Sequence, residues 1–418
     1  MSSSTLSPQP SNKIGLPMFV LMLNLFIALL GQGMVIPILP DYLKQFGAAG
    51  TAAGYLVAAF GAAQFLFSPI GGQLSDRFGR KKLIIAGLFL TVISDYLFAI
   101  GHTLTLLYIA RFIGGMGLGL MVPSVMAYVA DSTTTETRAK GMGYLGASMN
   151  LGMVLGPGLG GLIAEFGIRM PYYCAAGLGL LATLLSLLLR ETLTPEHRQA
   201  AGRRKREPFI RQMTDSFRTP YFRYLLLVLV MTFGLVNYET VYALFVEQKY
   251  GFDARSISVV ITLGAVIGIV CQVWLLDRMV RRFGEMKLIR ISLVMTAIAL
   301  LLMLVKFNLI YLLAVSALFF AFNSFLRPTT GTLIANAAGD RQGYAAGLNT
   351  TYMSLGSMIG PLFAGWLFDV QLNLPYILGA FILLAALALT MGRSMRSAQE
   401  REIAHERDLA PASQTPKS

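Results

Sequence analysis

The chain has 418 residues, 55% of them hydrophobic and 13% charged, with a mean hydropathy of +0.63. Soluble domains carry about 25% charged residues, so a water-facing surface over the whole chain is excluded. The net charge of +13 invites a nucleic-acid reading, but charge placement argues against it. Segments 1–15, 76–82, 131–140, 190–223, 278–290, 340–342 and 393–418 hold 27 of the 34 lysines and arginines. The alternate connections hold five: Lys44, Arg169, Lys249, Arg255 and Lys306. This is the positive-inside asymmetry, and it places both termini in the cytoplasm. The basic loops are expected to meet anionic lipid head groups.

Apolar runs of about 20 residues, the length that crosses a bilayer as a helix, predict twelve spans. The polar leader, 1–15, carries one cation, Lys13. Span 1, 16–40, is too long for the core of a signal peptide and is predicted as a membrane helix. Span 2, 52–75, holds Phe60 and Gln64 and runs into GGQLSDRFGRKK, residues 71–82. In that motif Gly72 is expected to let two helices approach closely. Asp76 is placed to cap or pair with a neighbouring helix N-terminus. Arg77, Arg80, Lys81 and Lys82 are expected to anchor the loop, with Gly79 between them, at the lipid surface. Read blandly, the motif is a tight basic turn.

Span 3, 83–100, carries Asp95 near its outer end, where a wetted or structural role competes with proton transfer. Span 4, 104–130, reads LYIARFIGGMGLGLMVP. Arg111 is a charge within a span, costly unless paired or hydrated. It either snorkels toward the outer head groups or faces a cavity and assists proton transfer. GMGLG is no nucleotide loop, because no strand precedes it. Span 5, 140–164, contains GMVLGPGLGG, residues 152–161. Gly152, Gly156 and Gly160 permit close packing, and Pro157 removes one backbone bond and kinks the helix. Span 6, 170–190, leads to a basic linker, 191–220, that contains RRKRE.

Span 7, 221–247, holds Glu239 in VNYETVYALF. It is the best candidate for an acid that loads and releases a proton as access alternates. A static partnership with an arginine such as Arg327 is the competing reading. Spans 8 to 12 follow at 255–277, 288–305, 308–334, 343–368 and 375–392, then a tail, 393–418, expected to be disordered. Most aromatic residues face lipid or pack between helices. A subset, among them Tyr238, Tyr242 and Phe320, joins Gln64, Asn150, Asn323 and Asn349 as candidates for a mostly apolar cavity wall. Such a wall suits flat lipophilic cations through stacking and cation–π attraction. Cys174 and Cys271 fall inside spans, and His102, His197 and His405 are scattered, so neither a disulfide, a metal site nor a catalytic cluster is expected.

An internal repeat at an offset of just over 200 residues divides the chain. SDRFGRKKLI after span 2 resembles LDRMVRRFGEMKLI after span 8, setting Asp76 against Asp277. Gly152 and Gly156-Pro157 match Gly356 and Gly360-Pro361; Pro123 matches Pro328; Met170-Pro171 matches Leu374-Pro375. The expected fold is therefore an all-α membrane protein of two pseudo-symmetric six-helix bundles, 16–190 and 221–392, related by an axis along the membrane normal.

These segments together resemble the major facilitator superfamily, and within it the twelve-span drug:proton antiporters of the NorA/Bmr quinolone and multidrug efflux type. The resemblance covers about residues 18–392. It includes LGQGMVIPILP, VAAFGAAQF, RMPYY, YETVYALF and GDRQGYAAGLNTTYMSLGSMIGPLFAGWLFDV. It implies that the 71–82 loop latches the outward-facing state and that GxxxGPxxGG is the span-5 antiporter signature. It implies that Glu239 carries the proton and that Arg111 and Arg327 are cavity arginines. Phe60, Gln64, Asn150, Phe320 and Asn349 match positions lining the drug pocket. One departure matters: such pumps can carry a second acid on span 10, where this chain has Ser324 beside Asn323. Either Glu239 works alone or Asp95 supplies the second site.

The function expected is export of lipophilic, often cationic drugs across a bacterial cell membrane by a monomer. Protons are the exchanged partner, and the proton-motive force stands in place of any cofactor. A dedicated transporter of one metabolite on the same fold is the alternative. A membrane enzyme or receptor would need a catalytic cluster or an appended domain.

Overall fold

In hydrocarbon every backbone N–H and C=O must find a partner within the protein, which leaves long apolar runs little choice but the helix. The computed structural model describes residues 15–193, 209–338 and 342–391, and among them no strand occurs. The leader up to residue 14, linker residues 194–208 with His197, and the 393–418 tail with His405 lie outside the described residues.

Each predicted span is a helix. Spans 1 to 6 are Leu16–Met34, Gly50–Phe78, Arg80–Ile100, Leu104–Ser132, Thr135–Ala164 and Met170–Ser186. Spans 7 to 12 are Phe222–Tyr250, Ala254–Trp274, Glu285–Leu302, Leu309–Ala338, Gln342–Val370 and Leu374–Thr390. Among the described residues, nine helices meet the length and apolarity needed to cross a membrane. Spans 6 and 12 are shorter, at 17 residues each, and span 9, at 18, carries Glu285, Lys287 and Arg290 near its start. Exposed side chains such as Trp274, Phe381 and Leu188 form the apolar exterior that a bilayer covers.

Two predicted spans are broken into separate helices, and other ends shift by a few residues. Span 1 does not run unbroken to Pro40: a 3₁₀ turn, Ile36–Ile38, and a separate helix, Leu39–Lys44, follow Met34. Pro37 and Pro40 cannot donate to a continuing ladder. Span 8 stops at Trp274, and Asp277 lies in the first turn of a separate helix, Leu276–Phe283. Three helix starts are capped by side chains. Thr103 accepts from the Leu106 amide, Thr134 and Thr137 form a capping box, and Asp253 accepts from the Ser256 amide at 3.0 Å. The Ser256 hydrogen bond holds the Asp253 carboxyl below the usual carboxylate range.

The chain forms two compact units: residues 1–36 with 63–204, and residues 37–62 with 205–418. Within the first, span 1 packs on spans 5 and 6, and span 3 on spans 4 and 6. Within the second, span 7 packs on spans 11 and 12, and span 9 on spans 10 and 12. The two internal plans are the same, as the sequence repeat requires.

Glycines set the closest of these contacts. Gly152, Gly156 and Gly160 lie against the span 1 backbone at Phe26, Leu30–Gly33 and Met34, and Gly356 and Gly360 lie against span 7 at Leu229 and Phe233. The span-5 motif is thus a backbone-to-backbone seam, repeated in the second unit.

Candidate functional site

The charged loop after span 2 is knit into the first unit. Arg80 bonds Asp76, reaches Asp131 on span 4 at 3.1 Å and donates to the Ser75 hydroxyl at 3.1 Å. Glu191, beyond span 6, accepts from the Arg80 and Lys81 amides at 2.8 and 3.2 Å. Lys81 closes the ring by donating to the Leu187 carbonyl at 2.7 Å. Gly79 makes the turn at φ 114°, a conformation open to glycine.

Two expectations about this motif need correction. Arg80 is not a lipid anchor: it is 8% exposed, because three side-chain acceptors draw it inward. Arg77 remains exposed. The close helix approach is not at Gly72, which has open space beside it, but at Gly71. A Cβ there would meet the Gly119 carbonyl at 2.5 Å. Asp131 and Glu191 were missed because neither lies in the motif. Their signal in the sequence is an acid at the end of a span facing a basic loop.

The candidate proton and cavity residues fall in both units. In the first, the Arg111 guanidinium lies over the Phe98 ring at 4.9 Å, and Phe98 stacks on Tyr172 with centroids 4.5 Å apart. Asp95 is within Coulombic reach of Arg111 and adjoins Gly31 of span 1. Neither snorkelling nor isolation describes Arg111: an aromatic face and an acid share its charge. Asn150 is exposed and Gln64 partly so.

In the second unit Glu239 is exposed between buried Tyr238 and Thr240. It lies within Coulombic reach of Arg327. Arg327 donates to the Met353 sulfur at 3.8 Å, and Asn349 Nδ2 donates to the same sulfur at 3.9 Å. Asn349 Oδ1 has no hydrogen-bond partner among the described residues. Phe60, Phe320 and Asn323 are partly exposed. Ser324 turns its hydroxyl back to the Ala321 carbonyl at 2.7 Å, so it adds no proton-carrying group beside Glu239.

Tyr238 and Tyr242 do not stand on an open wall. Each is 2% exposed. Tyr238 lies 4.0 Å from Phe319 and 6.0 Å from Tyr376 between ring centroids, and Tyr242 shares a hydrogen bond with Ser316 at 3.0 Å. Helical spacing explains this, because the span 7 face that turns Glu239 outward turns positions 238, 241, 242 and 245 inward. Met353, absent from the sequence reading, is the residue that joins Arg327 to Asn349.

The family model described as Major Facilitator Superfamily matches residues 21–283 and 273–416. Multidrug resistance protein 2 of Bacillus subtilis (strain 168) is 39% identical over 374 residues, spanning 89% of this chain and 94% of that protein. Quinolone resistance protein NorA of Staphylococcus aureus (strain MRSA252) is 39% identical over 375 residues, spanning 89% and 95%. The crystal structure of the human organic anion transporter MFSD10 (TETRAN) aligns with a TM-score of 0.66 at 21% identity, covering 92% of this chain and all of that one, a likeness of fold.

Proposed function

The chain belongs to the Major Facilitator Superfamily, and we propose that it exports lipophilic, often cationic drugs from a bacterial cell in exchange for protons. The observation that carries this reading is the extent of likeness. At 39% identity over 89% of its length, the chain matches a multidrug resistance protein through both halves. The packing plan of each unit agrees with it, as does the glycine seam of span 5.

The chemistry follows from Glu239, turned outward on span 7 while its neighbours Tyr238 and Tyr242 pack among aromatic rings. Glu239 offers a negative charge to a cation or a binding place to a proton, and the two compete. The basic loops put the termini and the 191–220 linker on the cytoplasmic side, against anionic lipid. The working unit is the monomer, driven by the proton-motive force without a cofactor.

The test is efflux of a fluorescent lipophilic cation in inverted vesicles, with and without a pH gradient. Gradient-dependent accumulation is expected. Transport of one metabolite with indifference to all dyes would replace this reading by the dedicated-carrier one.

A further inference from the structure

The loop after span 8 repeats the loop after span 2 with its charges exchanged. Each loop turns at a glycine of positive φ, Gly79 at 114° and Gly284 at 74°. The residue after the turn opens the next span: Arg80 in the first unit, Glu285 in the second. Arg80 is met on span 4 by Asp131, eight residues beyond Pro123. Eight residues beyond Pro328, on span 10, stands Asn336. The acid that suits a guanidinium on span 4 is thus an uncharged amide on span 10, where the loop presents a carboxylate instead.

A cavity of about 340 Å³ opens at this place in the second unit. Asp277, Arg281, Glu285, Thr329 and Thr332 are among the residues that line it. Two acids against one base leave its wall net negative. The Asp277 carboxyl makes no ion pair among the described residues, whereas its repeat partner Asp76 bonds Arg80. Arg278, Arg282 and Lys287 are exposed and do not line the cavity.

The chain beyond span 12 brings the opposite charge within reach. Arg290 of span 9 donates to the Thr390 carbonyl at 2.6 Å and to its hydroxyl at 3.1 Å, so span 12 ends beside span 9. Lys81 acts alike in the first unit, donating to the Leu187 carbonyl where span 6 ends. There the chain goes on four residues to Glu191, which bonds the Arg80 and Lys81 amides. Beyond Thr390 it goes on as Met391-Gly392-Arg393-Ser394-Met395-Arg396, with two bases and no acid. Arg290 stands about 7.5 Å along the helix from Glu285, and its side chain leans toward that end. Three residues of extended chain, as from Thr390 to Arg393, span about 10 Å.

We propose that the cavity beside Glu285 receives residues 393–396, RSMR, and that an arginine of this stretch pairs with Glu285. The second unit then closes the ring around its loop as the first unit does, with the signs reversed. Charge complementarity and chain reach select this occupant. The stretch ties spans 9, 10 and 12 to the helix Leu276–Phe283 at one place, which makes the start of the tail a structural part of the unit. No step of this uses transport, so it stands or falls apart from the transport reading.

The experiment uses the full chain, purified in detergent, and reads its unfolding temperature. Glu285→Arg, Arg393→Glu and Arg396→Glu are made singly, and each arginine variant is also combined with Glu285→Arg. Glu285→Arg and at least one arginine variant are each expected to lower the unfolding temperature by about 2–4 °C. Combining those two is expected to restore most of the loss, because the pair is rebuilt with its signs exchanged. Losses that simply add in both combinations would overturn the proposal. Should Glu285→Arg fail to accumulate, a cross-link decides. On the chain with Cys174→Ser and Cys271→Ser, Thr332→Cys with Ser394→Cys is expected to form a disulfide on oxidation in membranes, since the two are then neighbours. Thr332→Cys with Ser413→Cys, farther along the tail, is expected to stay reduced. No disulfide in the first pair, or equal yields in both, would overturn the proposal. Added phosphatidylethanolamine is the remaining arm. If it raises the parent's unfolding temperature, loses that effect in Glu285→Arg, and neither combination is restored, the cavity belongs to a lipid head group and the proposal falls.

Discussion

Gly156 of span 5 lies face to face with Gly33 of span 1. A Cβ added at Gly156 would stand 2.8 Å from the Gly33 Cα, and one added at Gly33 would stand 3.1 Å from the Gly156 Cα. No real Cβ tolerates the first distance, so Gly156→Ala must push the helices apart. Overpacking of this kind costs about 1–3 kcal/mol. A lower unfolding temperature in detergent is expected, together with reduced transport. Gly143→Ala, on the same helix with open space around it, is the control. It is expected to be neutral or to stabilise by about 0.4–1 kcal/mol. Equal melting temperatures for the two variants would remove the seam from the explanation.

The loop after span 2 gives a second prediction. Arg80 bridges Asp76 on its own side and Asp131 on span 4. Asp131→Asn and Asp76→Asn each remove one charged acceptor, worth about 1.5–3 kcal/mol, and change little packing. Both are expected to lower dye efflux several-fold per molecule in the membrane while leaving yield close to the parent. Arg80→Lys is expected to behave similarly, since an ammonium cannot serve three spread acceptors as a guanidinium does. Near-parental efflux in all three would mean that the loop only anchors the chain.

The spans and the repeat were legible in the sequence because both rest on patterns along the chain: apolar length, and landmarks such as Pro123 and Pro328 at one offset. What lies across the chain was not legible. Asp131 on span 4 and Glu191 beyond span 6 complete the Arg80 cluster, and no local motif marks them. Tyr238 and Tyr242 flank Glu239 in sequence, which invited a shared cavity role. The 100° step of the helix turns them inward while Glu239 turns out. Gly72 and Gly71 differ by that same step, and sequence spacing alone did not tell which of them met span 4.

A third prediction concerns selectivity. Phe60, Gln64 and Asn349 are each partly exposed, and none is braced by an ion pair among the described residues. Stacking surfaces and single amides share binding energy in small portions, about 0.5–1.5 kcal/mol per aromatic contact. Phe60→Ala, Gln64→Ala and Asn349→Ala are each expected to reorder the ranking of exported dyes by a few-fold while sparing some substrates. The measurement is the resistance profile of cells carrying each variant against a panel of unrelated cations. A single replacement that eliminates every substrate equally would point instead to a dedicated carrier or to a coupling role.

The last prediction is that Glu239 couples drug movement to protons. Exchange requires a site that holds a proton or a cation, but not both comfortably. Glu239 is turned outward on span 7 within Coulombic reach of Arg327, and span 10 carries no second acid, since Ser324 spends its hydroxyl on the Ala321 carbonyl. Ionised Glu239 attracts a cationic drug, and protonation ends that attraction and favours release. The pH gradient supplies about 1.4 kcal/mol per unit, and each net charge moved adds roughly 2.3 kcal/mol per 100 mV. Glu239→Gln fixes the site in a proton-loaded likeness. It is expected to fold and to retain binding of neutral dyes, but to lose gradient-driven efflux altogether, with no residual coupling from span 10. Asp95→Asn is expected to slow transport through its effect on Arg111 while leaving one proton exchanged per cycle, and the proton count per drug is the quantity to measure. Drug-induced proton release from energised vesicles separates the cases. Normal release in Glu239→Gln together with loss in Asp95→Asn would make the span 3 acid the carrier and reverse the assignment.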